Sequence, residues 1–191
     1  MTVTFKEIFD NDASITEQEV EFCKSYFEFI TLPKNYIVEE DNNIPKYLYF
    51  ITEGYVRLFY YDENGDEHTN FIASPNNFIT SFLDFIHQKT TNQNLECITD
   101  CQFFRIERSK LAELIDKNTT FKKISLTIFE NAFSISNSRA NDLATLSAEL
   151  RYKKLLKQEP LIIQNVPVQY IASYLGIKPQ SLSRIRKQII K

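Results

Sequence analysis

Four polar residues near the end of the chain, Gln180, Ser183, Arg184 and Lys187, recur every three or four positions. On a helix, this spacing places the four side chains on one face. Glutamine can make two hydrogen bonds to adenine, and arginine can make two to guanine. We therefore predict that Gln180 and Arg184 read base edges in DNA, and that Ser183 contacts either a base or a phosphate. The apolar residues of the same segment fall on the opposite face: Leu182, Ile185 and Ile189.

The segment 168–185 has the spacing of two short helices that cross at a tight turn. Ala172 is small where the second helix must cross, and Gly176 suits a left-handed turn that ends the first helix. The apolar positions supply the inner faces: Ile171, Leu175, Ile177, Leu182 and Ile185. This pattern is typical of a helix-turn-helix, which presents its second helix, here about 179–190, to a DNA major groove. The alternative is a helical hairpin that only packs.

Charge is distributed unevenly along the chain. Residues 149–191 contain nine lysines and arginines but only two glutamates, although the whole chain has a net charge of −3. A basic end on an acidic body fits an anionic partner at the C-terminal end. We predict that four residues near the second helix contact DNA phosphates, which position a protein without specifying sequence: Lys178, Ser181, Arg186 and Lys187.

Composition argues against several classes of protein. No apolar run reaches 18 residues, and the first twelve residues lack a basic-then-apolar signal pattern. The three cysteines, Cys23, Cys97 and Cys101, have no metal-ligand spacing, so we expect a reduced, cytoplasmic protein without a metal or cofactor. The chain has two isolated histidines and no nucleophile motif or Gly-rich phosphate loop, so an enzyme is not expected.

The N-terminal part combines a helix with short strands. Residues 14–30 have a helical apolar stripe with a cap at Ser14 or Thr16. The region 32–106 is rich in Tyr, Phe, Ile and Thr, and Asn64-Gly65 suits a hairpin turn. Cys97 and Cys101 are predicted to lie on one strand. The strand-like segments are 47–54, 55–61, 68–73 and 95–106.

Residues 109–116 predict a short helix, and residues 119–157 predict a long helical region without Gly or Pro. Its apolar or small residues form a narrow seam: Phe121, Ile124, Ile128, Ala132, Ile135, Leu143, Leu146 and Leu150. We expect a second subunit to cover this seam in a homodimer, since helix-turn-helix proteins commonly bind two half-sites. Cover by the sheet domain is the alternative. The polar stretch 134–139 could set register, meet a ligand or form an exposed face.

The order of these segments resembles the catabolite-activator/FNR (Crp/Fnr) family of bacterial transcription regulators. The residues that carry the resemblance are Tyr49 to Gly54 with Val56-Arg57, the hairpin 62–67, Arg105-Ile106, Arg151-Tyr152 and the segment 179–186, Pro-Gln-Ser-Leu-Ser-Arg-Ile-Arg. The resemblance implies an α+β fold: an antiparallel β-roll, or cyclic-nucleotide-binding-like jelly roll, with flanking helices over 1–117, a dimerisation helix over 118–148 and a helix-turn-helix domain over 149–191.

The region that matches the family's cyclic-nucleotide site departs from its pattern. The Gly-Glu pair of cyclic-nucleotide-binding members is absent, and no arginine occurs between Arg57 and Arg105. Because arginine's two-pronged guanidinium is the usual partner for a buried phosphate, we expect a degenerate site that does not bind cyclic AMP. An unknown small-molecule effector would meet Thr80, Ser81, Lys89 and Thr91.

These observations predict a sequence-specific, double-stranded-DNA-binding transcriptional regulator. RNA polymerase is a possible partner, and no membrane contact is expected. The alternative is a small-molecule sensor or protein-interaction module whose C-terminal hairpin is structural.

Overall fold

The computed structural model describes residues 3–9 and 15–189. A 3-10 helix at Phe5–Phe9 precedes helix α1 (Glu17–Lys24). Thr16 caps α1: its hydroxyl accepts from the Glu19 amide at 3.2 Å, while the Glu19 carboxylate accepts from the Thr16 amide at 3.0 Å. Of the two predicted caps, Ser14 lies outside the described residues. The predicted helix over 14–30 is too long, because its last residues pair with a distant strand instead.

Eight strands lie in the described part of the chain: β1 (Glu28–Leu32), β2 (Ile37–Glu39), β3 (Tyr47–Glu53), β4 (Val56–Tyr61), β5 (Glu67–Ala73), β6 (Phe78–Ile79), β7 (Asn94–Cys97) and β8 (Cys101–Glu107). They form two antiparallel four-stranded sheets, ordered β1-β8-β3-β6 and β2-β7-β4-β5. The facing sides of the sheets pack Tyr49, Ile51, Leu95 and Phe103 into one core. This β-roll confirms the predicted fold class.

The hairpin at Asn64-Gly65 is confirmed between β4 and β5, with Gly65 at a φ of +83°. The prediction for Cys97 and Cys101 is wrong. The three residues between them turn the chain from one sheet into the other, so Cys97 ends β7 and Cys101 begins β8. Both thiols are fully buried in the β-roll core.

The remaining helices are α2 (Phe82–His87), α3 (Arg108–Lys117), α4 (Thr119–Thr145), α5 (Ala148–Gln158), α6 (Pro160–Asn165), α7 (Val168–Tyr174) and α8 (Pro179–Ile189). The predicted helical region 119–157 is two helices. Leu146 has an extended backbone, and the Ser147 hydroxyl then accepts from the Leu150 amide at 3.3 Å, which caps α5. This break precedes the predicted 148/149 domain boundary, and the three-domain division stays a prediction.

The predicted seam of α4 is partly covered by the β-roll. Phe121 is fully buried in the core formed with α1 and α3, and Ile124 packs against it. The apolar side chains that α4 exposes most are instead Leu126, 59% exposed, and Phe133, 74% exposed. These two lie seven residues apart and share a face. The alternative, cover by the sheet domain, therefore applies to the first turns of α4, whereas the seam residues Ile135 and Leu143 are 39% and 38% exposed.

A second core joins the C-terminal helices to the β-roll. Leu155, Ile163 and Leu182 pack there with Ile72 of β5 and Ile98 of the β7–β8 turn. The hydroxyl of Tyr55, the residue before β4, also accepts from the Asn165 amide group at 3.0 Å. The helices after α4 are thus packed directly on the β-roll.

Candidate nucleic-acid interface

Helices α7 and α8 meet at the turn that the sequence predicts. Gly176 has a φ of +67°, where a Cβ would be strained. The Gly176 amide donates to Ser173 O at 2.9 Å and the Ile177 amide donates to Ala172 O at 3.0 Å, which closes the end of α7. Pro179 begins α8, where its missing amide proton removes no helical bond.

The inner faces of this helix pair are also as predicted. Ala172 is fully buried at the crossing, and Ile171, Leu175 and Leu182 are buried around it. Ile177, Ile185 and Ile189 pack against the same core from its edge. The helix pair therefore has a well-defined outer face.

That outer face carries the polar residues singled out in the sequence. Gln180, Ser183, Arg184 and Lys187 are all exposed, as are Lys178 and Ser181, while Arg186 is half-buried. The structure therefore brings the predicted base-reading and phosphate-contacting residues together on one helix and its preceding turn. The Ser183 hydroxyl donates to Pro179 O at 3.0 Å, so its proton is committed to the helix backbone.

The cations of this face form no ion pair within the described part of the chain. Within the described residues, no carboxylate lies within 4 Å of the charged groups of Lys178, Arg184, Arg186 or Lys187. By contrast, Lys153 and Lys154 of α5 are paired with Glu149 and Asp142. Unpaired cations on the exposed face of a helix are suited to a polyanion.

The inner side of α7 contacts the free edge of β5. The Thr69 amide donates to Ser173 Oγ at 2.8 Å, and Ser173 Oγ donates to Glu67 O at 3.3 Å. Arg139 of α4 completes the contact, because its guanidinium donates to both Thr69 O and Tyr174 O at 3.1 Å. The helix-turn-helix is thus joined to the β-roll through backbone groups as well as through apolar packing.

Arg57 of β4 forms the centre of this contact. Its guanidinium pairs with Glu96 and with Glu67, each at 2.6 Å, and it is 2% exposed. The ring of Phe59 lies on the guanidinium at 3.9 Å, and so does the ring of Tyr170 from α7. One buried cation therefore links the outer surface of the second sheet to the helix-turn-helix.

Sequence reasoning missed the role of Arg57 and left that of Arg139 open. An arginine between apolar residues of a strand is a signal of a paired buried charge. The acidic partners Glu67 and Glu96 belong to two other strands, so only the sheet order reveals them. The contact between Arg139 and β5 likewise joins residues about 70 positions apart.

The predicted effector residues lie around β6, α2 and the start of β7. We call this segment, residues 78–94, the cassette. Thr80, Ser81 and Thr91 are buried, and Thr91 Oγ1 donates to Ser81 Oγ at 3.1 Å. Thr80 Oγ1 is buried without a hydrogen-bond partner among the described residues. Lys89 is exposed, so the structure groups three of the four residues and places the cation at the surface.

Burial shifts the pKa values of two side chains near the sheet edges, Glu39 and Arg139. Burial raises the pKa of Glu39 to about 7, although amides of Lys46 and Tyr47 and the Tyr49 hydroxyl favour its charged form. Burial also lowers the pKa of the Arg139 guanidinium from its usual value. Among the described residues, no group of three or more His, Cys, Asp or Glu side chains is arranged to bind a metal ion.

Residues 29–118 match the family model of the cyclic nucleotide-binding domain. Several solved structures have the same fold. FixK2 from Bradyrhizobium japonicum has a TM-score of 0.73 and 15% identity, covering 85% of this chain and 84% of that one. The catabolite activator protein of Thermus thermophilus has a TM-score of 0.60 and 17% identity, covering 96% and 86%.

A third similar structure is CLP from Xanthomonas campestris, described as a c-di-GMP-responsive global regulator. Its TM-score is 0.68 with 18% identity, covering 91% of each chain. At these identities the likeness establishes the fold. In the described part of the chain, no helix is both long enough and apolar enough to cross a membrane.

Two curated proteins of Dictyostelium discoideum also match along most of the chain. Probable polyketide synthase 7 is 27% identical over 179 residues, and probable polyketide synthase 6 is 26% identical over 179 residues. The chain spans only about 7% and 6% of their lengths, respectively. The similar region is therefore a small part of those proteins.

Proposed function

We propose that this chain is a transcriptional regulator of the Crp/Fnr type, which binds double-stranded DNA through the outer face of α8. The exposed cations of that face, which have no acidic partner among the residues that the structure describes, carry the proposal. Gln180 and Arg184 read base edges, with Ser183 beside them, while Lys178, Ser181, Arg186 and Lys187 contact phosphates. RNA polymerase is the partner that a regulator of this type would meet at a promoter.

The regulator acts as a homodimer through α4. The exposed pair Leu126 and Phe133 supports this, because large apolar side chains at seven-residue spacing on one helix suit a second helix. A two-fold dimer presents two copies of α8, so the DNA site is a two-fold repeat.

Cyclic AMP does not control this regulator. The cassette has no arginine, its single lysine is exposed, and the hydroxyls of Ser81 and Thr91 bond to each other. A buried cyclic phosphate would need a cation and free donors at that place. The effector therefore has a different chemistry or a different site.

The experiment that tests this proposal selects bound sequences from random DNA with the purified full chain. We expect an inverted repeat whose half-sites are separated by about one helical turn of DNA. Binding should weaken steeply with salt. Recovery of unrelated sequences, or no recovery at low salt, would refute DNA recognition.

A structural hairpin is the second candidate, and the docking of α7 on β5 favours it. In that case the protein is a small-molecule sensor whose C-terminal helices only pack. Salt-dependent DNA binding separates the two candidates, since the structural hairpin predicts none.

A further inference from the structure

A cavity of about 440 Å³ lies where the β-roll, α4 and the C-terminal helices meet. Its walls are the end of β5 with the following turn, the middle of α4, and α5 with Tyr174 of α7. We call it the three-way cavity. Its volume is in the range of sites that bind small organic molecules. The polar lining includes Asn77, Ser134, Ser138, Arg139, Lys154 and Gln158.

Two cations border the three-way cavity, Arg139 from α4 and Lys154 from α5. The Lys154 ammonium donates to Ser138 Oγ at 2.9 Å and pairs with Asp142 at 2.6 Å. Glu159 also lines the cavity, and burial raises the pKa of its carboxyl. Lys154 and Asp142 therefore balance each other, and Arg139 is the cation of the lining that has no carboxylate within 4 Å among the described residues.

The hydrogen-bond acceptors of Arg139 are all neutral groups. Its guanidinium donates to Asn70 Oδ1 at 3.3 Å and to the carbonyl oxygens of Thr69 and Tyr174. Its Nε is buried without a partner, and no carboxylate lies within 4 Å of it among the described residues. A cation taken out of water without a counter-ion is costly, so an anion in the adjoining cavity would be stabilised.

Part of the lining is apolar. Phe71, Ile72 and Ala73 face the cavity from the β-roll, and Ile135 and Ile162 face it from the helices. An occupant that fills this space gains binding free energy from the burial of its apolar body. It gains more if it also places a negative charge near Arg139. An inorganic ion alone would leave most of the volume empty.

We propose that the three-way cavity binds a small organic anion that carries a carboxylate or a phosphate on an apolar body. The site is distinct from the cassette, since Thr80, Ser81 and Thr91 do not line it. Its lining comes from the β-roll, α4 and the C-terminal helices together. An occupant would therefore change how firmly α5 and α7 pack on β5, and the resulting change in DNA affinity rests on the proposed function.

The test uses three probes that share one aromatic ring: benzoate, phenyl phosphate and the neutral benzyl alcohol. Binding to the full chain is measured by titration calorimetry at constant ionic strength, without DNA. We expect at least one anion to bind and the alcohol not to. Preference between the two anions tells a carboxylate site from a phosphate site.

Two variants locate the site, and each has a matched control. Lys154→Gln leaves the Asp142 carboxylate unpaired beside the cavity and should weaken anion binding about tenfold or more, whereas Lys153→Gln, which removes the neighbouring exposed cation, should not. Ser134→Leu fills the cavity while keeping both cations, and should abolish binding. Ser136→Leu, an exposed serine of α4 outside the lining, should not. Thermal unfolding of each variant shows whether it is folded.

Three results would each overturn the cavity proposal. They are failure of both anions to bind, binding of the alcohol as tight as that of an anion, and undiminished anion binding by Ser134→Leu. DNA affinity is measured separately with and without the bound probe. Anion binding in a chain that binds no DNA would support the cavity and contradict the proposed function, so the two failures are distinguishable.

Discussion

The exposed residues of α8 differ in what each side chain can offer to DNA. Gln180 and Arg184 have free planar donor groups, whereas Ser183 already uses its proton within the helix. Lys187 is a point charge on a flexible stem. Planar groups discriminate between bases, and point charges attract phosphates irrespective of sequence.

Arg184→Ala should weaken binding to the selected DNA site by roughly 1–3 kcal/mol, because a contact of two hydrogen bonds to guanine is lost. It should also relax the sequence preference at one base position. Lys187→Ala should weaken binding to all DNA sequences alike. The salt dependence of binding should fall by the amount expected for about one phosphate contact. Fluorescence anisotropy with selected and scrambled DNA across a salt series measures both effects. The control is Gln188→Ala, on the same helix but outside the predicted contacts. Equal weakening of both DNAs by Arg184→Ala would contradict base reading.

Glu39 makes folding stability depend on pH. Its pKa is raised to about 7 in the folded chain, so the fold favours the protonated carboxyl. The resulting stabilisation is present below about pH 4.5, the ordinary value, and is lost as the pH rises through about 7.

Glu39→Gln resembles the protonated side chain, so it should raise the free energy of unfolding at pH 8 relative to the parent chain. At pH 5 it should have little effect. Urea unfolding at the two pH values measures the difference, with the exposed neighbour Glu40→Gln as the control. A pH-independent effect of Glu39→Gln would mean that the carboxyl does not titrate in this range.

At the scale of elements, sequence patterns predicted segments that local chemistry defines. The capping box at Thr16 and Glu19, the Asn64-Gly65 turn and the Gly176 turn all involve neighbours in the sequence. Residues 28–30 have helical periodicity, yet they belong to β1 because β8 is available to pair with them. The break before α5 was missed because its signal is a serine cap, not a glycine or proline.

Helix α4 shows why its two most exposed apolar side chains were not predicted. Periodicity identifies an apolar stripe, but it does not reveal which part of the stripe the chain itself covers. Phe121 and Ile124 pack on the β-roll, whereas Leu126 and Phe133 remain exposed. The dimer itself stays a prediction.

Phe133→Glu should make the chain monomeric, since burying an unpaired carboxylate between two helices is unfavourable. The mass of the particle is measured by light scattering, and DNA affinity should fall with it because one half-site is lost. Asn131→Glu, an exposed position on the opposite side of α4, is the matched control. An unchanged dimer mass in Phe133→Glu would place the interface elsewhere.

For the whole molecule, the decisive feature is how the β-roll and the C-terminal helices are joined. Arg57 lies between them, ion-paired within the sheet and stacked against Tyr170 of α7. These residues are far apart in sequence, so their association could not be predicted from any local pattern.

Arg57→Met should destabilise the chain by about 3–5 kcal/mol, because it leaves Glu96 buried without its counter-ion. Replacing both residues, as Arg57→Met with Glu96→Leu, should recover much of this loss. Denaturant unfolding measures each variant. Arg105→Met removes the partner of the exposed Glu28 and should cost only about 1 kcal/mol. If Arg57→Met and Arg105→Met lowered the free energy of unfolding by similar amounts, the buried ion pairs of Arg57 would stabilise the fold no more than an exposed pair does.

The contacts of Ser173 and Arg139 with Thr69 have a consequence for self-association. β5 is the outermost strand of its sheet, and an outermost strand with unpaired backbone groups invites another chain to add to it. Ser173 and Arg139 occupy the Thr69 amide and carbonyl, so the docked helices protect this strand. Any event that pulls α7 away uncovers it. Release of the C-terminal helices would thus be coupled to a risk of aggregation, which favours a small, reversible displacement over complete detachment.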